Sequence, residues 1–126
     1  MLTLIEVERE IPQYIDVLAT IALSTAYKRG QVKTSTTFEE FTSAIQEELE
    51  ELKNASVVCS REQLGALQSM QNNSSAKFSA MFEHSAKDTV GDEIADIIVT
   101  CLSMARFFDI DIDTHILMKM EYNDNR

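Results

Sequence analysis

The sequence predicts an all-α fold, a bundle of four to five helices. Two observations lead there. Apolar residues recur at helical spacing over most of the chain, and only one proline and three glycines interrupt its 126 residues. So few breakers favour long helices over a strand-rich fold with many tight turns. The length suits one domain, expected to span residues 1–126, and a chain of this size buries roughly two-thirds of its unfolded surface.

In the first segment Ile11, Tyr14, Ile15, Leu18, Ile21 and Ala22 follow the i, i+3, i+4, i+7 rule. A helix is expected over about 11–27 with these side chains on its core face. Lys28, Arg29 and Gly30 read as its stop. Pro12 either opens this helix or kinks a longer one that begins near Thr3. After a polar loop, Thr36 or Thr37 caps a second helix over about 38–54, with Glu39 or Glu40 completing a capping box. Phe38, Phe41, Ile45, Leu49 and Leu52 fall within about 80° of one another on its wheel and form its core face.

Residues 55–88 are harder to read. Ser60-Arg61-Glu62-Gln63 resembles a capping box for a short helix to about 71, Asn72-Asn73-Ser74-Ser75 breaks it, and 76–85 has room for another turn or two. The next strong helix runs over about 89–108. It is apolar nearly all round, which predicts a buried helix, with Cys101 as a small core residue. Asp109-Ile110-Asp111-Ile112-Asp113 leads into a last helix from about 114.

The formal net charge of −10 argues against a protein that coats a nucleic-acid backbone. It suits an acidic solvated surface, a cation site, or both. No apolar run reaches the roughly 18 residues that span a membrane. The N-terminus has no basic segment or cleavage-like tail, so a cytoplasmic protein is expected. Two cysteines are too few for a disulfide framework.

The acids are not spread evenly. In Glu47-Glu48-Leu49-Glu50-Glu51, Glu50 projects away from the apolar arc, but Glu48 sits at its edge, where an unpaired carboxylate is costly. Glu51 lies three residues on. The helix over 89–108 repeats the pattern with Glu93 and Asp96, on a helix with little polar surface to hold them. Asp92 is the better candidate for a simple helix-start role. If the two helices pack as antiparallel neighbours, four carboxylates meet. Like charges about 4 Å apart repel by about 1 kcal/mol in water and about 4 kcal/mol at an effective dielectric of about 20. A divalent cation relieves that directly, and oxygen-only ligands select Mg²⁺ first and Mn²⁺ next. The plainer reading of each run is a solvated acidic face.

Two other metal patterns fail. Neither His84 nor His115 has a Glu three positions before it, as a di-iron bundle requires. Asp109-x-Asp111-x-Asp113 begins like an EF-hand loop, but Thr114 stands in place of the invariant Gly and Met120 in place of the bidentate Glu. Those aspartates read as turn and cap residues.

Glu47-Glu48-x-x-Glu51 followed by Glu93-x-x-Asp96 resembles the paired motif of the all-α nucleotide pyrophosphatase superfamily, the MazG-like proteins in particular. Gly91-Asp92-Glu93-Ile94-Ala95-Asp96-Ile97 is similar to the second motif in its usual setting. Lys119-x-x-x-Asn123-x-x-Arg126 resembles the signature that closes many such domains. Asp109-Ile110-Asp111 stands where the family often has Gly-Ile-Asp. The spacer between the motifs is longer than in compact members, and there is no Trp to stack on a base, a part that Tyr14 or Tyr27 could take.

The resemblance implies a MazG-like bundle assembled as a homodimer or homotetramer, with the first helix and Met104, Met118 and Met120 as interface material. It implies a Mg²⁺-dependent nucleoside triphosphate pyrophosphohydrolase, releasing a nucleoside monophosphate and diphosphate, with nucleotide-pool house-cleaning as a role. Glu48, Glu51, Glu93 and Asp96 would hold one or two Mg²⁺, which lower the pKa of an attacking water. Glu47 would orient or deprotonate that water, or is simply a solvated helix residue. Lys119, Asn123 and Arg126 share a stripe flanked by His115 and Tyr122 and would clamp the phosphates, Arg126 bidentately; otherwise they form a solvated polar face. The competing function is a non-catalytic acidic helical module that binds a basic partner protein.

Overall fold

The computed structural model of the chain describes residues 4–126, with side chains from Tyr14 onward. It is all-helical, with six helices and no strand among the described residues. The count exceeds the expected four to five because residues 55–88 hold two full helices. In chain order the helices are α1 (Leu4–Lys28), α2 (Phe38–Asn54), α3 (Arg61–Asn73), α4 (Ser75–Ser85), α5 (Val90–Phe107) and α6 (Ile112–Asp124). Two compact units emerge: Met1–Thr42 with Ile98–Arg126, and Ser43–Ile97.

In the first unit, α1 runs through Pro12, so the longer of the two expected helices forms. Its expected core residue Ile11 lies outside the described side chains. Gly30 ends α1 with φ +71°, a left-handed conformation that costs glycine little. The Gln31 N–H donates to the Ala26 carbonyl at 2.9 Å and closes the last turn. Thr37 caps α2, its Oγ1 accepting from the Glu40 N–H at 3.2 Å. The Glu40 carboxylate accepts from the Thr37 hydroxyl, not from its N–H as a full capping box requires.

The face that α1 buries matches the expected one only in part: Ala22 is buried and Ile15 half-buried. Ala19, Ala22 and Ala26 are buried, whereas Tyr14, Leu18 and Ile21 are each more than half exposed. The small side chains let neighbouring elements approach closely. Ala26, Val32 and Phe41 make the buried core, with Leu23, Met104 and Phe107 packed against it. Met104, expected at an interface, therefore serves this core. The Phe41 ring lies 5.1 Å from Phe107 and 5.7 Å from Phe108, and Phe38 lies 6.1 Å from Phe108. Phe41 is 3% exposed, so Phe41→Ala is expected to cost about 3–5 kcal/mol. α6 packs on α1. Asp111 caps α6, accepting from the Thr114 N–H and hydroxyl at 3.2 and 2.8 Å. Asp109 adopts φ +54°, which aspartate tolerates better than most residues.

The second unit is built around a helical hairpin of α3 on α4. The expected capping box forms in full at Ser60 and Gln63. Ser74 ends α3 and caps α4 at once. That is why Ala76 to Ser85 is a helix of three turns where a turn or two was expected. Leu67 and Ala86 are buried here. The Val90 N–H at the start of α5 donates to the Val57 carbonyl at 2.8 Å, tying the α2–α3 connection to α5.

α5 is not buried all round within this chain. Ile94, Ile98 and Val99 are 44%, 53% and 48% exposed, and Cys101 is exposed as well. Cys101 is therefore not the core residue its apolar neighbours suggested.

Candidate metal centre

The parts of α2 and α5 that lie in the second unit supply four carboxylates. α2 presents Glu48 and Glu51 one turn apart, and α5 presents Glu93 and Asp96 in the same way. A ligand oxygen from each of the four lies within 4.8 Å of the others. The four acids thus meet, as they would if α2 and α5 lay side by side.

Burial differs across the four. Glu93 is 3% exposed, Glu48 and Asp96 are half-buried, and Glu51 is exposed. Glu48 Oε2 and Glu93 Oε2 are buried with no hydrogen-bond partner. A buried carboxylate oxygen in that condition is expensive, because the desolvation of that oxygen is not offset by a hydrogen bond.

The acid–base behaviour follows from the geometry. The Glu48 carboxyl is pushed up to about 7, first by burial, then by the charge of Asp96 and by Glu51. Glu93 is also pushed up to about 7, by burial, by hydrogen bonding with Glu51, and by the charges of Glu51, Asp96 and Asp92. Each group resists ionisation because its neighbours are anions in a partly dry setting. A hard divalent cation fits this donor set: oxygen ligands only, an excess of negative charge, and two orphaned oxygens to take up.

Local structure around α5 fixes the second pair. Thr89 is buried, donates to the Ala86 carbonyl at 2.6 Å, and accepts from the Asp92 N–H at 3.4 Å, as an N-cap does. Asp92 accepts from the Asp88 N–H at 2.9 Å, the helix-start role expected of it. Sequence reasoning missed Asp88. With Asp92 and Glu93 it forms a second group of three carboxylates within 4.8 Å. Its backbone has φ +65°, and Asp before Thr at a helix start was the available signal.

Glu47 is exposed on α2, beside Glu48. The cationic stripe belongs to the first unit, on α6 and just beyond it. Lys119 Nζ sits 5.1 Å from the centre of the Tyr122 ring, and the Arg126 guanidinium carbon 5.5 Å from it. Lys119, Tyr122, Asn123 and Arg126 are all exposed, as are His115, Tyr14 and Tyr27.

The first unit also holds a cavity of about 340 Å³ lined by Asp16, Arg106, Asp109, Asp111 and Asp113, among others. Two of its acids have partners of their own, while burial and the charges of Asp16 and Asp111 push the Asp113 carboxyl up. Asp16 pairs with Arg106 at 3.6 Å, and Asp111 is held below the usual carboxylate range by its bonds from Thr114.

A family model described as the MazG-like family matches residues 60–126, just over half of the chain. The match contains Glu93, Asp96 and the α6 cations, while Glu48 and Glu51 precede it. No curated protein and no solved structure matches the chain.

Proposed function

The chain belongs to the MazG-like family, and from that premise we propose that it is a Mg²⁺-dependent nucleoside triphosphate pyrophosphohydrolase. The reaction is NTP or dNTP plus water to the monophosphate plus diphosphate, with nucleotide-pool house-cleaning as its role. The observation that carries this reading is the pair of orphaned, buried carboxylate oxygens on Glu48 and Glu93, within a four-acid cluster.

Glu48, Glu51, Glu93 and Asp96 are the proposed ligands of one or two ions. When bound, Mg²⁺ supplies neutralisation of the triphosphate and acidification of the attacking water. Glu47 lies four residues before Glu51 and so on the same side of α2. It is the proposed acceptor of the water proton. The water oxygen bonds to the α-phosphorus, the bond from that phosphorus to the bridging oxygen breaks, and diphosphate leaves. Lys119, Asn123 and Arg126 are the proposed phosphate-binding groups, with Tyr122 holding the two cations in place through its ring. Arg126 offers a bidentate contact that Lys119 cannot.

Assembly belongs to the same proposal. Tyr14, Val17, Leu18 and Ile21 recur at i, i+3, i+4, i+7 and are each more than half exposed. An apolar stripe of this kind is stabilised by burial against another surface, at about 25 cal/mol per Å². A second copy of the chain is the proposed cover, in a homodimer or homotetramer. Light scattering of Leu18→Glu tests it: a smaller species than wild type is expected, and an unchanged mass overturns the assignment of this face. No helix among the described residues is long and apolar enough to cross a membrane, and a cytoplasmic location is proposed.

The activity is tested with a panel of NTPs and dNTPs and Mg²⁺, resolving the products. Monophosphate and diphosphate in equal amounts are expected. A folded protein that turns over no nucleotide with Mg²⁺ or Mn²⁺ overturns the reading and leaves the acidic binding module in its place.

A further inference from the structure

Glu93 belongs to two groups of acids in the second unit. One is the cluster with Glu48, Glu51 and Asp96. The other joins Glu93 to Asp88 and Asp92, with a ligand oxygen from each within 4.8 Å of the others. Opposite oxygens around an ion, each at about 2.1–2.6 Å, lie about 4–5 Å apart, so this spacing matches a coordination sphere. The ion pairs among the described residues are Lys53–Glu50 and Arg106–Asp16, and neither reaches this group.

A helix start explains part of the group, since acids are favoured in a first turn. Asp92 fills that role by accepting from the Asp88 N–H, and Thr89 supplies the cap. It does not explain Glu93, which is 3% exposed and has an oxygen without a hydrogen-bond partner.

We propose that Asp88, Asp92 and Glu93 hold a second divalent cation, with Glu93 shared between it and the ion of the four-acid cluster. A carboxylate has two oxygens and about four lone-pair sites, so one side chain can serve two ions. The bond from the Asp88 N–H uses only part of that capacity in Asp92. Hard oxygen donors select Mg²⁺, Mn²⁺ or Ca²⁺. Asp88 is exposed and Asp92 half-buried, so water completes the coordination, as Mg²⁺ prefers. Charge favours a second ion as well. The two groups together hold six carboxylates; when all are ionised, one divalent ion leaves four negative charges unopposed and two ions leave two. Two-metal sites hold their ions about 3.5–4 Å apart and clamp both the attacking and the leaving oxygen of a displacement. The inference rests on the reading of Glu48, Glu51, Glu93 and Asp96 as metal ligands given above, and adds to it the place of the second ion and two further ligands.

The test counts Mn²⁺ bound per chain at pH 8 by electron paramagnetic resonance, on wild type, Asp88→Gly and Asp88→Asn. Both replacements accept the left-handed backbone at this position, φ +65°. Glycine removes the ligand, and asparagine removes its charge. Circular dichroism confirms helicity, and Asp88→Asn carries the test if Asp88→Gly does not fold. Wild type is expected to bind two Mn²⁺, with a spectrum broadened by coupling between neighbouring ions. Each variant is expected to keep one uncoupled Mn²⁺ and to bind the second more than about tenfold more weakly, since even a lost outer-shell partner costs metal affinity on that scale.

A single uncoupled Mn²⁺ in wild type overturns the proposal. Two ions that persist in both variants also overturn it, because the second is then held elsewhere. So does the loss of both ions from a folded variant, because Asp88 then serves one common centre. The readings fail separately. A wild type that releases diphosphate with one bound ion loses the second site and keeps the reaction. A wild type that binds two coupled ions but releases no diphosphate keeps the second site and loses the reaction.

Discussion

Two regions of the molecule concentrate acids, and they differ in how many of those acids the chain itself partners. Around the first unit's cavity, Asp16 has Arg106 as its partner and Asp111 has the Thr114 N–H and hydroxyl. On α2 and α5, Glu48 and Glu93 have buried oxygens with no partner, and their near neighbours are further acids. Two of the cavity's acids are thus satisfied internally, although Asp113 is pushed up by burial and by its acidic neighbours; the α2–α5 cluster keeps two buried oxygens that could take up a cation. Counting acids does not separate a structural cluster from a metal centre; accounting for their partners does.

The largest effect expected from this contrast is on turnover. Glu48→Gln and Glu93→Gln should each lower the rate of diphosphate release by more than about 100-fold, beyond what losing an outer-shell partner of a metal site costs. Asp109→Asn should leave it unchanged, since asparagine also accepts the left-handed backbone at that position. Steady-state assays on the three variants check this. Equal losses in all three would erase the distinction between the regions.

The next effect is on pH dependence. The folded values of Glu48 and Glu93 are raised to about 7 from an ordinary 4.5. Between those values the folded state holds protons that the unfolded state has released. Their contribution to stability is fully present below about pH 4.5 and is lost as pH rises through about 7. Metal-free protein should therefore melt at lower temperature at pH 8 than at pH 5.5. Mg²⁺ should raise the melting temperature more at pH 8, since cation and protons compete for the same oxygens. Asp111 has the opposite sign: its value is lowered, so its contribution is lost only as pH falls through that lowered value. Melting scans with chelator and with Mg²⁺ at both pH values read the difference.

The smallest effect is local. Asp111→Ala removes the cap of α6 and should cost about 1 kcal/mol in chemical denaturation. It should leave the response of stability to Mg²⁺ intact. A lost Mg²⁺ response in this variant would mean that the first unit's acids also serve the ion.

The convergence of four carboxylates was legible because i, i+3 spacing on two helices is a one-dimensional signal of a shared side. Glu48 stood out from Glu50 only because the wheel placed it against Phe41 and Leu52. The helices themselves followed from periodicity and caps, down to the Ser60–Gln63 box. The misreadings share one cause. Periodicity finds an apolar face but does not say what covers it. Leu18 and Ile21 on α1, and Ile98 and Cys101 on α5, read as core, whereas within this chain the alanines of α1 are what pack inside. The α3–α4 break was harder still, since one residue, Ser74, ends one helix and starts the next. Asp88 joins its acidic group through a left-handed backbone that no spacing rule encodes.

The most direct test of the central claim is a Mn²⁺ titration followed by electron paramagnetic resonance, on wild type, Glu93→Gln and Asp111→Ala at pH 8. Protein-bound Mn²⁺ that Mg²⁺ displaces, present in wild type and Asp111→Ala and lost in Glu93→Gln, is the predicted result. Binding that is the same in all three proteins, or absent from wild type, would contradict the account.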